Sequence, residues 1–524
     1  MTVINRARCQ GVIQPVVLQT SLVQTLNDII QGLGVSVLLP IIIFVIALAF
    51  RVSAGQAAKS AILIGVGFVG IFLVIGMFGE EIGPLANSMV EATGLELAAV
   101  DVGWPAAAAI AFGIAELGVW IIPIFVVLNL LLYFFGFTFT LDVDIWNYWH
   151  FAFIAGLVYF ATDSWGLALA MGLMLGVLML VAADWFQPAI EETFDTPGIS
   201  IPHATSVPYA IAAIPIHEVV KRIPGVGATT WDPETIRNRF GIFGEPVTLG
   251  LVLGILIGIG GNIDSLGAAD SWYTILGAGI TFAAVMHILP MMVGILMEGL
   301  TPLSESIRDT MTSRFEDRDF AVGLDSAILI GHEATIASSL IIVPIAILMM
   351  IVLPGNRVLW GVDLATFPFF FAMMVPLMDG DVVKMVITGI ILLVPMHYIA
   401  GAVAPLLTDA AAAADFDVGE AQFVTSPVAD AGSPATGIFA LPGQSLGISG
   451  AYLSLAVGVV AILAIWLALR LWPRKMYVIA GASREKADEM VRRRHMSGSA
   501  GFLPTKIGSS IDPEDLTDEA AESD

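Results

Sequence analysis

One cysteine, Cys9, stands in 524 residues. That excludes a disulfide framework and a cysteine-based metal centre. Charge is nearly as scarce: 13% of residues are Asp, Glu, Lys or Arg, against about 25% in soluble domains. Lysine is the rarest charge, supplying six of 22 basic residues. The sequence has no phosphate-binding loop, dinucleotide fingerprint, HExxH or GxSxG. An ATPase, a dinucleotide enzyme, a zincin and a serine hydrolase of those types therefore have no support. No cofactor, resident metal, catalytic group or nucleic-acid partner is expected.

What fills the chain instead is apolar sequence, 57% of it, with a mean hydropathy of +0.87. Uncharged runs recur at 34–50, 60–79, 117–141, 164–183, 246–263, 271–297, 385–408 and 444–469. A helix needs roughly 20 apolar residues to cross the hydrocarbon. The fold class is an all-α polytopic membrane protein. Residues 1–33 lack the compact core of a signal peptide and are expected to form an amphipathic segment. A transmembrane domain spans 34–472, and 473–524 forms a cytoplasmic acidic tail, partly disordered.

Basic residues orient the chain, because Lys and Arg mark the cytoplasmic side. They cluster at 221–239, at 308–318 and after 469, with Arg51 and Lys59 forming a smaller group. The stretches 80–101 and 409–445 have neither Lys nor Arg and are placed outside, the second as an external loop. Counting spans between these marks puts the N-terminus outside and the C-terminus inside. Two short, proline-bearing stretches, 102–115 and 199–216, decide the total. If both cross there are roughly thirteen spans; if both are re-entrant there are about eleven, the arrangement expected here. The 46 acidic residues against 22 basic ones fit a salt-adapted, halophilic surface; an acidic partner-binding surface is the other reading.

Four polar clusters interrupt the apolar pattern, and ionisable groups within membrane segments are functional candidates by default. "VDIWNYWHF" (143–151) holds Asp144, Asn147 and His150, although its Trp and Tyr residues also fit an interfacial belt. "GISIPHATS" (198–206) carries His203 and Thr205 in a broken segment, where a capping histidine is the plainer reading. Glu245 sits between Gly244 and Pro246, either a simple helix start or a turn facing a cavity. "VGLDSAILIGHEATIASSL" (322–340) sets Asp325, His332 and Glu333 inside what would otherwise be a span. "IPHATS" and "GHEATIASS" echo each other, as paired broken helices of a transporter would. The glycines of "IGVGFVG" (64–70) suit close helix packing.

Taken together the clusters resemble a known family, the membrane-spanning IIC component of the galactitol-type phosphotransferase system (PTS). The likeness rests on "GVGFVGIFLVIG" (65–76), "VDVGWP" (100–105), "VDIWNYWH" (143–150), "GISIPHATS" (198–206), "IPGV" (223–226), "RFGIFGEPVTLG" (239–250), "EGLTP" (298–302), "VGLDSAILIGHEA" (322–334) and "PGNRVLWGVDLAT" (354–366), with "GSP" (432–434) a further match. The resemblance implies a permease that binds a polyol or sugar outside and delivers it to a cytoplasmic IIB protein phosphorylated on cysteine. That protein is recharged through a IIA protein and ultimately phosphoenolpyruvate. Cys9 has no IIB-like domain around it, so IIB and IIA are separate partners. The related ascorbate transporters imply a homodimer embedded in membrane lipid, with a scaffold domain and a moving core of re-entrant hairpins, an elevator-type transporter. The substrate-binding residues implied are His203, Thr205, Glu245, Asp325 and His332, followed by Asp144 and His150. An ion-coupled secondary transporter using Asp325, Glu333 or Glu245 is the alternative.

Overall fold

The computed structural model describes residues 51–92, 94, 97–113, 117–144, 147–227, 230–241, 245–314, 320–414, 416, 418 and 421–496, and scattered positions between 37 and 48. Cys9, the expected amphipathic segment 1–33 and the tail after 496 lie outside the described residues.

Apolar sequence makes long helices. Six helices are long and apolar enough to cross a membrane among the described residues. The first, α1 (Ala54–Glu91), starts at Ser53, whose hydroxyl accepts the Gln56 amide. It leads to strand β1 (Ala99–Asp101), helices α2 (Gly103–Gly113) and α3 (Leu117–Phe134), and strand β2 (Thr140–Asp142). Helices α4 (Tyr148–Thr162) and α5 (Trp165–Phe194) follow, then strand β3 (Ile199–Ser200) and helix α6 (Val207–Val220). After a short surface helix α7 (Pro233–Phe240) the order begins again. Helices α8 (Pro246–Gly261) and α9 (Ala269–Arg314) are followed by β4 (Ala321–Gly323), α10 (Glu333–Val352), β5 (Val358–Leu359) and the short α11 (Phe367–Ala372). Then come α12 (Val382–Ala413), β6 (Phe423–Thr425) and the short α13 (Pro434–Phe439). Helix α14 (Ile448–Leu471) and two small helices, α15 (Pro473–Ile479) and α16 (Arg484–Met496), are the last among the described residues.

The fold is thus mainly but not wholly helical. Six short strands form two parallel three-stranded sheets, ordered β5-β1-β6 and β2-β4-β3. Ala99 lies opposite both Val358 and Phe423; Val322 lies opposite Leu141 and Ile199. Extended backbone buried among apolar helices needs hydrogen-bond partners, and the sheets provide them. Each half of the chain gives its first strand to the centre of one sheet and its other two to the edges of the other. The sequence echo between "IPHATS" and "GHEATIASS" therefore does not mark equivalent places. "SIPHAT" (200–205) follows β3 as "TSPVAD" (425–430) follows β6, whereas "GHEATIASS" heads α10.

The stretch 102–115 directly follows β1 and 199–216 begins on β3, and they run into helices of 11 and 14 residues, shorter than the roughly 20 a span needs. The expected external loop 409–445 is instead built into the protein: α12 runs to Ala413, β6 joins a sheet, and 427–431 form a buried turn. Its backbone has sheet and turn partners, so it need not stay in solvent. The glycines of the first span do pack helices. A Cβ on Gly67 would come within 2.8 Å of the Leu296 backbone on α9, and one on Gly299 within 2.7 Å of the Ser60 carbonyl on α1.

Candidate functional site

The chemistry gathers where the strands of the two sheets end. Asp142 closes β2, and the turn into α4 holds Asp144, Asn147 and His150, all buried. Asn147 ties this turn to the one after β3: its amide donates to the Pro202 carbonyl at 2.9 Å, and its carbonyl accepts the Ala204 amide at 3.0 Å. That pairing presents His203 to Asp144, with Nδ1 3.2 Å from Asp144 Oδ2. Asp325, which follows β4 and accepts the Ala327 amide, lies 3.6 Å from the same nitrogen. His203 is thus shared between two buried carboxylates. Asp144, His203 and Asp325 offer ligand atoms within 4.8 Å of one another, a spacing that could hold a small cation. The imidazole N–H already sits between the two carboxylates.

A second chain of contacts adjoins the first. His150 Nδ1 is 2.7 Å from Asp430 Oδ2, and His150 Nε2 is 3.1 Å from Thr205 Oγ1. The two imidazoles stand edge to face, 5.1 Å between centroids. Ser206 donates to the Phe369 carbonyl at 2.6 Å, and Tyr209 to the Val428 carbonyl at 2.7 Å. These bonds fasten the β3–α6 element to the second half.

A cavity opens at this junction. His150, His203, Thr205, Asp325 and Thr366 line it together with Phe72, Trp104, Trp149, Phe369 and Ala429. No Lys or Arg is among them. Hydroxyl, imidazole and carboxylate groups share this lining with broad aromatic surfaces, a mixture suited to a small neutral molecule that carries both hydroxyls and C–H faces.

The other sheet has a carboxylate pair of its own, used differently. Asp101 accepts the amides of Gly103, Gly361 and Asp363; Asp363 accepts those of Trp104, Val428 and Ala429 and the Ser426 hydroxyl. Saturated by backbone donors, this pair holds turns together and places Trp104 and Ala429 at the cavity.

Five of the seven residues expected from the sequence, Asp144, His150, His203, Thr205 and Asp325, meet here. Glu245 does not: it is exposed at the start of α8. His332 is half-buried and caps α10, its Nδ1 accepting the Ala334 amide, with the Phe194 ring 5.6 Å away. Glu333 is paired with Arg237 at 3.1 Å. The belt reading of 143–151 fails for Tyr148 and Trp149, which are 0% and 2% exposed. Asp430 was missed, along with Phe72 and Trp104. The readable signal was the shared Pro-x-Ala spacing of "IPHAT" and "SPVAD".

Comparison with known proteins gives the family. The family model described as the PTS system sugar-specific permease component, EIIC-GAT, matches residues 28–421. The chain belongs to the galactitol-type IIC family. This IIC protein is 37% identical over 364 residues, 70% of its own length and 79% of the relative's, to the "PTS system galactitol-specific EIIC component" of Escherichia coli K12, and likewise to that of strain O157:H7. It is also 34% identical over 446 residues, 84% of its length and 99% of the relative's, to a "Putative permease IIC component" of Escherichia coli K12. As a family member it is a multi-pass membrane permease component of a sugar PTS, working with companion IIB and IIA proteins.

Proposed function

We propose that this IIC protein carries a neutral polyol, galactitol or a close relative, inward for phosphorylation by its IIB partner. The observation that carries this reading is the cavity itself: Asp325, His203, His150 and Thr205 beside Trp104, Trp149 and Phe72, with no Lys or Arg among its described lining. Hydroxyls pair with the polar group of residues, and the C–H face of a polyol rests on the rings. An anionic substrate would meet Asp325 in a lining where no Lys or Arg is found among the described residues, and like charges at a few ångströms repel strongly where water is scarce. The same repulsion helps release the product, because phosphorylation turns a neutral ligand into an anion in an acidic pocket.

In this reading about eleven spans cross the cell membrane, with the N-terminus outside and the C-terminus cytoplasmic, as the basic loops suggest. Helices α1, α8 and α9 belong to the scaffold; the two sheets and their hairpins form the moving core of an elevator-type homodimer. The glycine-mediated packing of α1 on α9 supports a rigid scaffold. Apolar residues such as Leu453, Val460 and Leu463 of α14 are exposed and suit lipid contact. Ion coupling has less support, since Glu333 is tied to Arg237, Glu245 lies at the surface and Asp325 is held against His203.

Competition binding tests the reading. Purified protein should bind galactitol, and neutral stereoisomers should compete. Galactonate, which carries a carboxylate, should compete at least about tenfold less well. Equal or tighter binding of the acid would overturn the neutral-polyol assignment.

A further inference from the structure

His150 is held at both nitrogens. Asp430 Oδ2 meets Nδ1 at 2.7 Å, and Thr205 Oγ1 meets Nε2 at 3.1 Å. All three side chains are buried. His150 and Thr205 line the cavity, whereas Asp430 stands outside its lining. The two partners occupy matching places in the two halves of the fold. Thr205 comes five residues after Ser200, the end of β3, and Asp430 five residues after Thr425, the end of β6. Between strand and side chain run Pro202-His203-Ala204 and Pro427-Val428-Ala429. The repeat has delivered a hydroxyl and a carboxylate to opposite nitrogens of one imidazole.

With Asp430 ionised and His150 neutral, the direction of each hydrogen bond follows. A carboxylate only accepts, so the proton of a neutral imidazole lies on Nδ1 and Nε2 is an acceptor. Thr205 has one hydroxyl proton, and Nε2 takes it. Toward the cavity Thr205 then offers lone pairs alone. We propose that Asp430 is a positioning residue which, through His150, makes Thr205 an obligate acceptor, so that the site demands a donating hydroxyl from its ligand at that point. The inference rests on the polyol reading above. It adds a specificity rule: a ligand group of hydroxyl size that cannot donate is rejected there, because a buried acceptor would be left unpaired.

Galactitol analogues in which one hydroxyl at a time is replaced by fluorine test this, since fluorine fills the space but donates nothing. Affinities are measured on the purified full-length protein. For wild type, at least one position in the series should lose about tenfold or more relative to galactitol. In Asp430→Asn the new amide can donate to Nδ1 and move the imidazole proton to Nε2; Thr205 then regains its own proton for the ligand. That variant should narrow the loss at the same position to about threefold or less. Thr205→Val should narrow it too, and Thr205→Ser should keep it. A purely structural role for Asp430 would lower thermal stability and leave the ratio unchanged. If Asp430→Asn does not fold, the Thr205 pair decides alone. A wild-type protein that binds galactitol with no position-specific loss, or variants that leave the wild-type ratio intact, would overturn the proposal. Wild type binding no polyol would instead sink the polyol reading on which it stands.

Discussion

His203 gathers its strength from what surrounds it: one imidazole between Asp144 and Asp325, held by Asn147 through the backbone on either side. Removing it leaves two buried carboxylates facing each other. His203→Ala is therefore expected to abolish polyol binding and to cost about 3 kcal/mol of stability, read from thermal melts. Asn in its place should restore part of the fold and little of the binding. His332 gives the contrast. It shares a sequence cluster with Asp325, yet the chain turns between them, and its imidazole caps α10. His332→Ala should cost about 1 kcal/mol of stability and leave galactitol affinity within about threefold. A large loss of affinity with unchanged melting would return His332 to the binding site.

At the scale of elements, the turns after the strands carry the function, and their backbone geometry is specific. Gly103 opens α2 at φ 77°, donates to Asp101 at 2.8 Å and leaves 2.5 Å between an added Cβ and Val362. Gly103→Ala is expected to destabilise the protein by about 1–2 kcal/mol and to disturb the neighbouring Trp104. Equal melting temperatures and equal affinity would show that this turn does not set the cavity wall. The C-terminal helices make a second element-scale case. Arg494 of α16 donates to Gln187 at 2.5 Å and to the Tyr477 hydroxyl, and stacks 4.2 Å from the Phe139 ring. Phe139 and Thr140 in turn bond to Asp184. Arg494→Ala should lower stability by about 2–3 kcal/mol, seen as a drop in melting temperature. The sequence suggested an acidic, partly disordered tail from 473; the basic residues of its first part were visible, but not that Lys486 and Arg493 pair with Glu191 on α5. Long helices, and the five residues that meet at the cavity, were legible because apolar runs and misplaced ionisable groups are local signals. The sheets and Asp430 were not, because three-residue strands have no period to read and their partners lie hundreds of residues away.

At the scale of the whole molecule, two halves exchange strands so that one site is built from both. Asp325 and Asp430 come from the second half, and His150, His203 and Thr205 from the first. In the proposed reading, that architecture gives a neutral ligand a cavity walled by Asp325, His150, His203 and Thr205 and makes the phosphorylated product an unwelcome guest in it. Group translocation is the central claim, and uptake of labelled galactitol into vesicles containing this chain tests it most directly, with and without phosphorylated IIB. The account predicts that label accumulates only with IIB and is recovered inside as galactitol phosphate. Accumulation of free galactitol without IIB, collapsed by an uncoupler, would contradict it.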